Sequence, residues 1–285
     1  MSKLLDDLDT LGWSLPSSGF DSGEVDYPEA ARSALDEIED RSPWFVARNG
    51  VIEDLLQRGG GAEALVEVGA GNGTVAAHLE RCGLDVLAVE PSELGAANCR
   101  RRGLTTVAAT LQDLQLPGRS VPAVGCFDVL EHLGDPRPLV EEVHRVLAPG
   151  GLFLVTVPAF AALWSQVDEV SGHHRRYRTS SLDDLVRPAG FVPVARSYYF
   201  STGVPYSLAF RALPYRAGRR HGEDEVTAAM ADELDPSGRL APALVHTTAA
   251  VERRLIRRGR SVPFGSSLGA VYVKRSGLTP TIRVT

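Results

Sequence analysis

Two short segments of this chain concentrate the residue types that chemistry needs. Glu67-Val68-Gly69-Ala70-Gly71-Asn72-Gly73 puts three glycines at alternate positions, behind an apolar run and ahead of a helical pattern. Glycine lets the backbone turn tightly and lets a ligand approach where a Cβ would stand. The spacing is Gly-x-Gly-x-Gly, whereas the dinucleotide fingerprint needs Gly-x-Gly-x-x-Gly to seat a pyrophosphate; Thr74 stands where its third glycine would fall. A nicotinamide cofactor is therefore disfavoured, and a plain strand-to-helix turn is the simpler alternative. The second segment runs Leu163-Trp164-Ser165-Gln166-Val167-Asp168 and then Gly172-His173-His174-Arg175-Arg176-Tyr177. Packing does not ask for a Trp, two His, two Arg and a Tyr in one loop. An active-site lining does, and a polar loop pinned by salt bridges is the alternative.

Within that loop His173 is the first candidate general base, because a neutral imidazole titrates near working pH. His132 is the second, and Asp168 joins them in the catalytic set. Arg175 or Arg176 could fork onto an acidic group of an acceptor, while one of the two pairs with Asp168. Trp164, His174 and Tyr177 are expected to face the acceptor, together with Tyr199 and Tyr206 from farther along. His173, His174 and Asp168, with His132, could instead ligate a divalent ion that chelates a keto acid or catechol. Adjacent histidines rarely share one ion, so no metal is assigned.

These segments fall at the ends of apolar runs that read as strands. Short runs at 64–68, 85–89, 105–109, 123–127 and 152–157 alternate with helical patterns at 74–81, 93–102 and one opening at Asp135-Pro136. Alternating strands and helices predict an α/β fold, a doubly wound Rossmann-like sheet that is mostly parallel. Helices are expected over 27–40 and from Pro43 to the glycines 59–61, where Pro opens a helix and glycine stops it. Two further strands, 191–199 and 267–274, are separated by a stretch too long for a plain loop; it contains a helical pattern over 241–258. The chain thus divides into a loose leader and cap helices at 1–58, a core at 59–200 and 263–276, and an insertion at 201–262 that could close over a pocket.

Glu90 ends the second strand with Pro91 beside it, and an acid there can accept hydrogen bonds from both ribose hydroxyls. Asp113, after the third strand, could meet an adenine amino group with Leu114 beside the ring, or could be a solvated loop acid. The chain of 285 residues has 44% hydrophobic residues and a formal charge of −6, which argues against general affinity for nucleic acid. Only Lys3 and Lys274 are lysines among 30 basic residues, a compositional skew that deprives the local arginine runs of meaning. The arginine-rich helix at 251–258 could still lie on a membrane or a partner. No apolar run approaches the roughly 18 residues needed to span a bilayer, and the acidic N-terminus is unlike a signal peptide. Three scattered cysteines without metal spacing fit a reducing cytoplasm. Monomer and homodimer both stay open.

Together these features resemble class I S-adenosylmethionine-dependent methyltransferases. The resemblance spans roughly 43–190 and resumes at the end of the chain. It rests on Glu67 to Gly73, on Glu90, on Phe127-Asp128-Val129-Leu130-Glu131-His132, and on Leu147-Ala148-Pro149-Gly150-Gly151. The loop Gly172 to Tyr177 is similar to a Gly-His-x-Arg-Arg-Tyr segment of a bacterial small-molecule subgroup. The resemblance implies that S-adenosylmethionine is the cofactor and that the last two strands form an antiparallel hairpin. It implies that Glu67, Gly69, Ala70, Gly71, Asn72 and Gly73 surround the methionine part. It implies that Glu90 holds the ribose and Asp113 with Leu114 the adenine, while Phe127 and Asp128 line the far side. Arg48 resembles an arginine that pairs with the cofactor carboxylate. The expected reaction is in-line methyl transfer to a small molecule, acidic or a specialised natural product among the options. A cyclisation or rearrangement on the same fold is the alternative.

Overall fold

The computed structural model describes residues 2–16, 38–234 and 241–275. Its seven strands, β1 (Ala64–Val68), β2 (Asp85–Val89), β3 (Thr105–Val107), β4 (Val121–Phe127), β5 (Leu147–Pro158), β6 (Phe191–Tyr199) and β7 (Ser267–Lys274), form one sheet in the order β3-β2-β1-β4-β5-β7-β6. β1 to β5 pair in parallel. β7 inserts antiparallel between β5 and β6, so the expected mixed Rossmann-like sheet is the observed one. The strand order reverses at β1/β4, and open α/β sheets bind ligands in the crevice outside the carboxyl ends of strands at that point.

Both faces are buried, which is why β1 is apolar at successive positions rather than alternate ones. Leu65 packs on one face and Val66 on the other. The helix Pro43–Arg58 covers the first face with the helix Ala241–Arg257 beside it. Arg253 closes that pair: its Nε lies 2.6 Å from Asp54 Oδ2 and its Nη2 3.2 Å from Glu53 Oε2. Gly50 makes room for it, since a Cβ there would lie 2.2 Å from Arg253 Nη1. The arginine-rich helix, for which a membrane or a partner was the alternative reading, docks on its own fold through Ala249, Glu252, Arg253 and Ile256. Among the described residues no helix is long and apolar enough to cross a membrane.

The N-terminus departs from the loose leader expected of it. Residues Lys3–Thr10 form a helix whose Leu4 and Leu8, four apart and hence on one face, are fully buried. Ser2 caps it, and Asp85 Oδ2 accepts from Ser2 Oγ at 2.9 Å and from the Leu4 N–H at 2.7 Å. Trp13 Nε1 donates to the Leu114 carbonyl at 2.8 Å. The acids that dominate this stretch lie on its wet side. The helix expected over 27–40 lies, up to residue 37, outside the described residues.

Candidate active site

β1 ends where the glycine loop begins, and the loop is contorted in a way only glycine tolerates. Gly69 (φ 70°) and Gly73 (φ 81°) are left-handed. A Cβ on Gly69 would stand 2.7 Å from Val129 Cγ2, and one on Gly73 2.7 Å from Leu104 Cδ1. The Gly71 N–H donates to Glu90 Oε2 at 2.8 Å, and the Ser92 N–H to Glu90 Oε1 at 3.0 Å. The acid that ends β2 is thus fastened to the loop that follows β1, and it is 2% exposed. Pro91 beside it is half-buried. Ala70 is buried, and Asn72 turns to the neighbouring helix Glu93–Arg101, its Oδ1 accepting from Asn98 Nδ2 at 2.8 Å.

Beneath the loop lies a group of buried charges. Glu67 Oε2 and Arg48 Nε are buried without a hydrogen-bond partner. Arg48 Nη1 donates to Asp128 Oδ2 at 2.8 Å, and its guanidinium lies over the Trp44 and Phe45 rings, 5.2 and 4.9 Å from their centroids. Asp128 is itself left-handed (φ 57°), an unusual conformation for a residue with a side chain and one that clusters at functional sites. Thr156 Oγ1 donates to its Oδ1 at 3.2 Å. Burial pushes the Glu67 carboxyl up to about 8; the Arg48 charge opposes this and Glu90 adds to it. Two expected members stand back from the cleft. The Phe127 ring packs in the core beneath the helix Pro43–Arg58. Leu114 is 3% exposed in the opposite core, while Asp113 Oδ2 accepts from Thr110 Oγ1 at 2.6 Å and caps its own turn.

The second segment folds around one carboxylate. Asp168 is completely buried. It accepts from the Ser165 N–H at 2.8 Å, from His173 Nδ1 at 3.0 Å and from Arg176 Nε and Nη2 at 2.6 and 3.1 Å. Burial would raise this acid, but His173 and Arg176 hold it below the usual carboxylate range. The saturated carboxylate cannot take a proton from an acceptor, which corrects its expected catalytic role: Asp168 positions His173. Arg176 also donates from Nη1 to the Ala159 carbonyl at 3.2 Å, and the Nε/Nη2 edge that would fork onto an acceptor acid is already spent on Asp168. Tyr177 is also corrected: its ring is buried and its hydroxyl donates to the Leu130 carbonyl at 3.2 Å. Arg175 reaches the Gly134 carbonyl at 2.6 Å, and the His174 side chain is exposed.

What does converge is His173, His132 and a residue to which the sequence assigned no role, Glu131. The two imidazoles meet edge to face with centroids 4.8 Å apart. Donor atoms of all three lie within 4.8 Å of one another. Glu131 is 1% exposed and neither carboxylate oxygen has a hydrogen-bond partner. Burial, then the nearby Asp128 charge, drives its pKa well above normal. Burial also lowers His132 to about 4, with His173 contributing. An acid beside a histidine just past β4 was the available signal for Glu131. The metal set of His173, His174 and Asp168 is not brought together, because Asp168 is saturated and His174 faces outward.

Trp164 is half-buried on this loop, and the start of the 201–262 stretch packs against it. Tyr215 donates to Glu169, Arg216 Nη2 reaches the Ala162 carbonyl at 2.7 Å and Gln166 Nε2 the His221 carbonyl at 2.6 Å. Tyr206 is 44% exposed and packs at a tilt against Phe210, ring centroids 5.2 Å apart. Tyr199, expected beside it, is instead fully buried in the core under the helix Pro43–Arg58, with its hydroxyl unpartnered.

A family model described as a methyltransferase domain matches residues 66–155. A probable S-adenosylmethionine-dependent methyltransferase of Mycolicibacterium smegmatis is 29% identical over 209 residues, covering 72% of this chain and 79% of its own. A probable S-adenosylmethionine-dependent methyltransferase of Mycobacterium tuberculosis is 28% identical over 244 residues, covering 84% and 87%. Among solved structures, a [4+2]-cyclase superposes with a TM-score of 0.56 at 18% identity, covering 92% of this chain and all of that one; that likeness concerns the fold.

Proposed function

We propose that this chain, an S-adenosylmethionine-dependent methyltransferase, places the methyl group on a small-molecule acceptor held at the Glu131–His132–His173 corner. The observation that carries this is the cradle at the carboxyl ends of β1, β2 and β4. A loop that leaves no room for Cβ atoms is laced to Glu90, and Glu67 Oε2 and Arg48 Nε are buried beneath it with unused polar capacity. A buried acid and a buried guanidinium, each with one unpartnered polar atom, suit a ligand that carries an ammonium and a carboxylate, because buried polar atoms are otherwise paired. In this reading Gly69, Ala70, Gly71 and Gly73 wrap the methionine part. Glu90 and Pro91 meet the ribose, Asp113 the adenine, and Arg48 and Asp128 the carboxylate end.

When bound, the cofactor supplies an electrophilic methyl on a sulfonium, and transfer needs little besides alignment and exclusion of water. The chain supplies the alignment. Asp168 fixes the His173 ring by accepting from Nδ1, which leaves Nε2 as the nitrogen that can take an acceptor proton, the arrangement of an oriented general base. Trp164, Arg175 and residues 207–233, which pack on the same loop, are suited to enclose the acceptor. The experiment is calorimetric titration of the purified chain with S-adenosylmethionine and, separately, NADH. Micromolar binding of the sulfonium compound, lost in Glu90→Ala and absent for NADH, is the expected result. A preference for NADH would defeat the assignment. Product mass separates methylation, which adds a methylene's mass, from cyclisation, which adds nothing.

A further inference from the structure

We infer that Glu131, His132 and His173 form a site for one divalent first-row transition cation, which would hold two adjacent oxygens of the acceptor beside the transferring methyl. The inference rests on the transferase reading above and names the acceptor class it would take: a catechol, or an α-hydroxy or α-keto acid. The donor set is one carboxylate and two imidazoles, which suits zinc, iron, manganese or cobalt. The donor atoms lie within 4.8 Å of one another. Bonds of about 2.0–2.2 Å hold donors roughly 3–4 Å apart, so closure would draw the side chains inward.

Three features distinguish this corner from an accidental cluster. Glu131 is buried to 1% exposure with both oxygens unpartnered. A buried acid in a satisfied protein has hydrogen bonds, and a cation is the ligand that would use both lone-pair sets. Behind His173, Asp168 accepts from Nδ1, the carboxylate–histidine arrangement that fixes a metal-binding tautomer. The contrast is Glu53, His78 and Cys82, whose donor atoms are equally close; there Arg253 Nη2 already lies 3.2 Å from Glu53 and a second cation would be repelled. A bound cation would lower the pKa of the chelated acceptor hydroxyl, which in a keto acid is that of its enol. It would thereby take over the proton removal that His173 Nε2 would otherwise perform, with the proton passing to solvent.

The test uses the full chain stripped with chelator and titrated with Co²⁺, then with Zn²⁺ in competition. Visible absorption and elemental analysis give stoichiometry and affinity, and S-adenosylmethionine binding is measured on the same samples. One ion per chain is expected, weakened more than about tenfold in Glu131→Gln and in His173→Ala, and about 10–100-fold in Asp168→Asn. His174→Ala and His78→Ala should bind as the parent does, and far-UV circular dichroism confirms that each variant is folded. No bound ion, wild-type affinity in folded Glu131→Gln, or loss in His78→Ala would each overturn the site. If the ion fails while the cofactor binds, the metal site alone is refuted. If the ion binds while the cofactor does not, the transferase reading falls instead.

Discussion

Replacing Glu67 by Gln isolates one buried ionisation and tests whether the cradle is as dry as its geometry implies. Glu67 is 2% exposed, and burial raises its carboxyl from the ordinary 4.5 to about 8 in the folded chain. Between those two values the folded state binds a proton that the unfolded chain has lost. Stability from this group is therefore fully present below about pH 4.5 and is lost as pH rises through about 8. In the interval the slope is about −1.4 kcal/mol per pH unit for one proton. A shift of that size corresponds to roughly 3–5 kcal/mol over the window. Glutamine has nearly the same shape and does not titrate. The variant should thus match the parent near pH 5 and exceed it by a margin that grows to several kcal/mol by pH 8. Urea unfolding followed by circular dichroism at intervals from pH 5 to 9 measures the difference, and groups common to both proteins cancel. Parallel profiles, differing by less than about 1 kcal/mol of pH dependence, would show that water or a partner reaches the carboxylate and that the cradle is not dry. In the parent, binding of the cationic cofactor near pH 7 should also expel about one proton, a release that vanishes in Glu67→Gln and that calorimetry in two buffers detects.

Asp168→Asn leaves the Arg176 guanidinium buried without its counter-charge, and breaking such a pair costs about 3–5 kcal/mol; chemical unfolding should show it, with part regained when Arg176→Met is added. Gly69→Ala forces a left-handed alanine against Val129, 2.7 Å away. It should cost about 1–3 kcal/mol and weaken cofactor binding measured by calorimetry, while adding Val129→Ala should recover the steric part only. Leu8→Ala empties a fully buried position on the N-terminal helix and should cost about 2–5 kcal/mol in urea unfolding; a loose leader would show no change. Glu252 accepts from the Phe200 and Ser201 N–H groups at 2.8 Å each. Glu252→Ala should free the 201–262 stretch to limited proteolysis well before the sheet unfolds.

Most strands of this fold were legible as apolar runs closed by a turn residue, whereas β3, Thr105–Val107, is largely threonine and ends two residues short of the expected run. β1, β2, β6 and β7 begin and end where the pattern does, and in β1, β2 and β7 this follows from burial on both faces of the sheet. The glycine loop was legible for a local reason too: its contorted backbone is a property of glycine itself. The N-terminal helix was not. Leu4 and Leu8 are only two apolar residues among acids, and what holds them is Asp85, about eighty positions away. The loop at 163–177 shows the same limit from the other side. Its composition asks for more than packing, yet composition cannot say which arginine is consumed by which acid. Asp168 is saturated by three neighbours within eleven residues, and that one carboxylate decides that Arg176 is structural, that His173 is oriented and that Asp168 itself is closed to substrate. Glu131 escaped because a buried acid is identified by what it lacks, and a missing partner is visible only when the whole fold surrounds it. Residues that bend the chain or fill its interior thus announce themselves by type. Residues that act by charge are defined by their neighbours, and for those the sequence can name the candidates while the fold assigns the roles.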